Sequence, residues 1–477
     1  MTVNSRVKLR AADWCLVVAS FDPATGVARL HQQQRTELAG QPAATSVQQK
    51  ISLMPSVSGA PLLIAARNGA PVTAHYNGKI DSPRLARVAL PLAEALLLLQ
   101  SPEYRQNDLV AAWDFSQHIP DTWVVEESGN GLHGETMNLP ARAMTGYDWN
   151  GTEFCWTKAP QHYGAIHFHE DDLYDAGWQP DLKFTVPDTL RSGCYALRLR
   201  AGDAEDYIPF FVRAETGRPR AKILYLAQTA TYLAYANTAS AYTSPAMELL
   251  INRLVVIQPW QERLREHPEY GASLYDTHTD GSGVCYSSRL RPILNMRPKV
   301  QTSAGGLGSI LWAYNADTHL NDWLEAGGFD FDVATDEDLD AEGVELLWHY
   351  QVVLTGTHPE YFFLRMLDAL QHYIGGGGRL MYMGGNGFYW RIAYHPHVPG
   401  VMEVRRAGDG TRAVSPASTA GCGDGRIVRR SVSPAWGSSR RGSTCRRVII
   451  APPTARIPAW HSRSKASTGM PPSATSA

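Results

Sequence analysis

The sequence of 477 residues contains no closely spaced cysteine pair. Its six cysteines, Cys15, Cys155, Cys194, Cys285, Cys422 and Cys445, are scattered without a Cys-x-x-Cys motif. Neither a disulfide framework nor a zinc ribbon is suggested, and a reducing, cytoplasmic setting is expected. Long apolar runs are missing too. The most apolar stretch, Val88 to Leu99, contains Glu94 and is too short to span a bilayer. The opening MTVNSRVKLRAADWCLVVASF lacks a signal-peptide pattern. Nor is there an excess of one charge: the formal net charge of −2 argues against nucleic acid as the main partner. Charge is unevenly spread, however. Residues 413–477 carry ten Lys/Arg and one acid, Asp424, a formal +9, which leaves −11 on residues 1–412.

What is present is enough apolar material, 44% of residues, for real cores. A chain of this length implies about two or three domains. From Trp14 to about Pro160, short apolar runs are broken by the turn signals FDPATG, ARNGAP, HYNGK, ESGNG and DWNG. That is all-β punctuation, and residues 1–160 resemble an incomplete laminin-G or concanavalin-like jelly roll. Residues 161–218 hold a second β segment, with LKFTVP, YALRLRAG and YIPFFVRA alternating apolar and polar positions. It fits an immunoglobulin-like fragment and its linker. The leading His167-Phe168-His169-Glu170-Asp171-Asp172 looks like a metal motif, but a His-x-His beside acids reads as a solvated linker. Residues 219–412 switch to α/β patterning, opening with the buried strand KILYLA, Lys222 to Ala227.

The clearest unit in this part runs from Tyr350 to Arg391. Gln351 to Gly356 and Leu380 to Met383 are strand-like, and between them Phe363, Met366, Leu367, Leu370 and Ile374 recur at helical spacing. A crossover of this length predicts a right-handed parallel βαβ unit, and ligands of open parallel sheets sit beyond the carboxyl ends of the strands. Those ends carry His358-Pro359-Glu360-Tyr361 and Gly384-Gly385-Asn386-Gly387. Pro359 disfavours helix at His358, and in extended chain residues two apart share a side, so His358 and Glu360 should converge. The bland alternative is that they cap the following helix.

An α/β part of this kind invites comparison with class I glutamine amidotransferases, whose cysteine sits on a tight strand-to-helix turn. Here Leu380 to Met383 ends without a nucleophile, and Cys285 is read as structural. Oxygen-ligand metal chemistry fits better, because tyrosines stand at two further strand-end loops, Tyr232/Tyr235 and Tyr275. A hard trivalent cation suits carboxylate and phenolate oxygen.

At these residues the chain closely resembles the large (β) subunit family of N,N-dimethylformamidase. The resemblance rests on TYLAYAN (231–237), DGSGVCYSSRLRPILNMRP (280–298), LTGTHPEYF (354–362) and GGRLMYMGGNGFYWRIAYHP (377–396), and covers roughly residues 10–412. It implies a mononuclear non-haem Fe(III) held by Tyr235, Tyr275 and Glu360, with Tyr232 the alternative to Tyr235. His358 and Asn386 would be the neighbouring catalytic groups. It further implies hydrolysis of a small amide to formate and dimethylamine, and a small (alpha) partner subunit in a hetero-oligomer.

Two departures from that family are expected. The chain begins inside the β-rich region, and after Arg412 its periodicity gives way to Ser, Arg, Pro and Ala, the composition of a disordered basic tail. Codon degeneracy lets a shifted frame restore family-like peptides, so a frameshift near Arg412 is expected, the charge of residues 413–477 being an accident of frame. The alternative to an amidohydrolase subunit is an inactive truncated remnant whose β domains at most bind a glycan or a partner.

Overall fold

The computed structural model describes residues 3–40, 43–51, 59–101, 103–238, 256–298, 300, 312–406 and 448–450. Apart from Val448–Ile450, the predicted tail lies outside the described residues. The first part is built of small antiparallel sheets, as its turn signals predicted. Cys15–Asp22, Val27–Gln34 and Ala44–Lys50 form a meander, and Arg84–Ala86, Leu109–Asp114, Trp123–Glu126 and Gly134–Glu135 form a four-stranded sheet. A third sheet places Ala165–Phe168 between Gly78–Asp81 and Ala141–Met144, so it spans the boundary drawn at residue 160.

The Val88 to Leu99 run becomes the helix Leu92–Gln100, and no helix among the described residues is long and apolar enough to cross a membrane. Buried Arg142 ties the loops together by donating to the carbonyls of Phe115, Gln117, His118, Asp121 and Trp123. Within 161–218 the strands after Ala165–Phe168 are one hairpin, Gly193–Ala201 with Ala204–Val212. Gly202 takes its left-handed turn position at φ 61°.

The α/β part is a five-stranded parallel sheet. Phe331–Thr335, Ile223–Ala227, Val352–Thr355, Arg379–Tyr382 and Val448–Ile450 lie side by side, which in chain order is 2-1-3-4-5. This is a doubly wound order whose crevice opens where strands one and three diverge. The predicted strand-helix-strand unit is present as Val352–Thr355, Leu364–Gly375 and Arg379–Tyr382.

Its helix buries Met366, Ala369, Leu370 and Tyr373, one stripe at helical spacing, against Leu224, Leu226, Val353 and Leu380 of the strands. Each fully buried large side chain stabilises the layer by roughly 1.5–3 kcal/mol. The glycine run ends the helix as expected, with Gly377 left-handed and the Gly378 amide donating back to the Tyr373 carbonyl at 2.8 Å.

Candidate active site at the divergence of strands one and three

The carboxyl end of the first strand runs into the short helix Thr229–Ala234, whose last turn delivers Tyr235. The end of the third strand runs into Gly356 to Glu360. These loops meet. Glu360, 3% exposed, accepts a hydrogen bond from the Tyr235 hydroxyl at 2.7 Å and another from His358 Nε2 at 3.1 Å, both on Oε2.

His358 and Glu360 thus converge as predicted, but by a different local geometry. The Glu360 amide donates to the His358 carbonyl at 2.9 Å, a three-residue turn across Pro359 in place of straight extended chain. The helix-capping alternative does not describe them: Phe363 is the cap of the next helix.

Tyr275 arrives from the 271–283 loop and stacks on Tyr235, with ring centroids 4.3 Å apart and planes at 13°. Its hydroxyl contacts that of Tyr361, which also accepts from Arg406 Nη2 at 3.1 Å. Trp312 closes one side, 4.5 Å from the His358 ring and edge-on to Tyr235. The Trp312 indole N–H is buried without a hydrogen-bond partner among the described residues.

Tyr235, Tyr275, His358 and Glu360 are therefore gathered in one buried cluster. Asn386 is not joined to it: it sits left-handed at φ 50° on the exposed part of the next strand-end loop. That loop nevertheless packs beside the cluster. The amides of Tyr389 and Trp390 donate to the Glu360 carbonyl, and Tyr361–Phe362 pairs with Trp390–Arg391.

Tyr232 and Tyr235 have different neighbours. Tyr232 points its hydroxyl to Asp317 at 2.5 Å and to Tyr225 at 3.2 Å, away from Glu360. Burial pushes the phenols of Tyr235, Tyr275 and Tyr361 above their ordinary value, which keeps them protonated and bonded to Glu360 and to one another.

Two phenols and a carboxylate form a hard-oxygen donor set. Their mutual hydrogen bonds are held by protons that a trivalent cation would displace, and the residues present fit Fe(III).

Sequence reasoning missed Tyr361, Trp312 and Arg406. Tyr361 was in view beside Glu360, whereas Trp312 and Arg406 flank no motif. Cys285 is buried and packs with Ala141, Met144 and Ala165.

The fold and site together define a doubly wound α/β protein with a tyrosine and carboxylate cluster at its switch point. The family model for N,N-dimethylformamidase beta subunit-like proteins, C-terminal part, matches residues 141–444. The chain is 43% identical over 414 residues to the N,N-dimethylformamidase beta subunit of Paracoccus aminophilus, covering 82% of this chain and 54% of that protein. It is 45% identical over 339 residues to the N,N-dimethylformamidase beta subunit of an Alcaligenes species, covering 70% of this chain and 44% of that protein. The chain belongs to the N,N-dimethylformamidase beta subunit-like family. It spans about half the length of the curated relatives it matches.

Proposed function

We propose that this chain acts as the large subunit of an iron-dependent amidohydrolase that cleaves N,N-dimethylformamide or a related small amide. The observation that carries this reading is the meeting of Tyr235, Tyr275 and Glu360 at the switch point of a chain in this family. Those three residues would hold one Fe(III). When bound, the ion supplies Lewis acidity toward an amide carbonyl and lowers the pKa of water.

Hydrolysis breaks the C–N bond, forms a C–O bond from water, and moves a proton to the departing dimethylamine, leaving formate. His358, held beside Glu360 at 3.1 Å, is the group placed to orient water and pass that proton. The Trp312 indole N–H is a donor available to a developing oxyanion, whereas Asn386, exposed on the next strand-end loop, is not placed for that role. Trp312 and Phe388 offer apolar surface suited to two N-methyl groups. The beta-subunit names of the relatives support a small alpha subunit as partner.

The test is iron content and visible absorption of the purified chain beside Glu360→Ala, Tyr235→Phe and Tyr232→Phe, with formate release from N,N-dimethylformamide measured in parallel. Stoichiometric iron with a phenolate charge-transfer band, weakened in Glu360→Ala and Tyr235→Phe but kept in Tyr232→Phe, supports the reading. Colourless, iron-free protein after growth in iron refutes it for this chain and leaves the inactive-remnant alternative.

A further inference from the structure

His167 and His169 do not lie in a solvated linker. Both are 7% exposed, on and just after the strand Ala165–Phe168, and their spacing of two turns both rings to one side. The 277–283 loop, closed by the Thr277 and Gly283 bridge and by the His278 amide on the Ser282 carbonyl, crosses to this strand. It delivers His278, 6% exposed, and Asp280. Three imidazoles then form a column: His169 lies 4.2 Å from His167 and stacks on His278 at 3.6 Å and 5°.

We propose that His167, His169 and Asp280 form a second metal site, for a late first-row divalent cation such as Zn²⁺, that fastens the loop carrying Tyr275 to the β-rich part. The donor atoms of the three residues lie within 4.8 Å of one another. His167 Nε2 is 2.7 Å from Asp280 Oδ2, and His169 Nε2 is 3.9 Å from the same oxygen. Donors about 2.0–2.2 Å from a tetrahedral ion stand roughly 3.3–3.5 Å apart, so the two distances to Asp280 bracket the coordinating one.

The orientation of His169 also matches. Its Nδ1 bonds Asp172 at 3.0 Å, the carboxylate-to-histidine support that aims the other nitrogen at a metal. His169 Nε2 also contacts Ser282 Oγ at 3.0 Å, and that hydroxyl or a water would complete the fourth position. Asp280 is held in place through its other oxygen, which accepts from the Ser282 amide at 2.9 Å and the Ser282 hydroxyl at 2.5 Å.

Lys79, opposite His167 in the sheet register, turns its ammonium to Thr145 at 2.9 Å. Two imidazoles and one carboxylate suit Zn²⁺ better than hard ions. The site is separate from the tyrosine cluster, yet Tyr275 stands only three residues before His278.

The test uses the full chain, stripped with chelator and titrated with Zn²⁺ alone and with Co²⁺ alone. One equivalent of tight zinc is expected, and cobalt should show the intense visible bands of four-coordination. Affinity should fall by about tenfold or more in His167→Ala and Asp280→Asn and stay unchanged in Glu360→Ala, with far-ultraviolet circular dichroism confirming folded variants. Absence of tight zinc and of four-coordinate cobalt bands in the parent chain overturns the proposal without reference to any variant. So does binding lost in Glu360→Ala, or binding lost in His278→Ala while His167→Ala retains it, which would assign the ion to the adjacent His169, Asp172 and His278 set.

Discussion

Asp317 holds the loop that presents Glu360, and replacing it measures how firmly. The residue lies on the helix Tyr314–Ala326 and is 1% exposed. Its carboxylate accepts from the Thr357 amide at 2.6 Å, the Thr357 hydroxyl at 2.7 Å and the Tyr232 hydroxyl at 2.5 Å. Burial raises its pKa, and the bonds from Thr357 and Tyr232 pull it back only in part.

Asp317→Ala leaves the Thr357 amide without its acceptor and strips Tyr232 of its shorter bond. At about 1–3 kcal/mol per unsatisfied buried donor, less the relief of no longer burying a carboxylate, the net loss is about 2–4 kcal/mol. Asp317→Asn keeps the volume and an oxygen for Thr357, while the Tyr232 hydroxyl turns to accept from the new amide, so its cost is about 1 kcal/mol. Chemical denaturation followed by tryptophan fluorescence gives both values, and the iron content of Asp317→Ala should fall with the displaced loop. An Ala variant within about 0.5 kcal/mol of the parent, or an Asn variant the less stable of the two, would refute this account.

Two further outcomes are expected. Gly384 packs so closely that an added Cβ would lie 2.0 Å from the Thr357 carbonyl oxygen, whereas Gly385 has nothing within 4 Å. Gly384→Ala should therefore destabilise by about 1–3 kcal/mol and disturb the Glu360 loop, with Gly385→Ala near neutral; equal thermal shifts for the two would contradict the packing. His395 is buried and accepts the His397 amide on Nδ1 at 3.3 Å, which needs a neutral ring. Burial lowers its pKa below the usual value of about 6.5. The folded state thus binds its proton later than the unfolded chain, and this stability is complete above about pH 6.5 and lost as pH falls through the lower folded value. His395→Gln should flatten the fall of Tm between about pH 7 and 5; a profile parallel to the parent would remove His395 as its cause.

The parts of the fold legible in the sequence were those whose signal is local. Val352–Thr355 and Arg379–Tyr382 are short Val and Leu runs, and the helix between them repeats its apolar positions, so period alone marked that unit. His358 and Glu360 were paired correctly because only one residue separates them, although a turn and not extension brings them together. Tyr232 and Tyr235 lie three apart, around one helical turn, and spacing could not rank them; the ranking comes from Asp317, 85 residues on from Tyr232.

The histidine column failed as a sequence motif for the same reason. His167 and His169 read as polar loop because the Asp280 and Ser282 that bury and bond them each lie 113 residues further along. A buried polar cluster is specified by its partners, and distant partners leave no periodic trace.

The same logic explains why the β-rich part cannot be a passenger on the α/β domain. Arg405 and Arg406 are adjacent, following the strand Val401–Glu403, and their side chains go to opposite clients. Arg405, fully buried beside Glu403 at 2.6 Å, donates to the Arg142 carbonyl at 2.8 Å, in the sheet that also contains His167. Arg406 donates to the Leu274 carbonyl at 2.7 Å and to Tyr361, and lies over the Tyr275 ring at 4.8 Å. One dipeptide therefore ties the Arg142 strand to the loop bearing Tyr275. The His167, His169 and Asp280 cluster ties that loop to the neighbouring strand from its other side. Because the Tyr275 loop is tied on one side through Arg406 and Arg405 to the Arg142 strand and on the other through Asp280 to the His167 strand, loosening either contact should shift Tyr275 relative to Glu360 with no change to the parallel sheet.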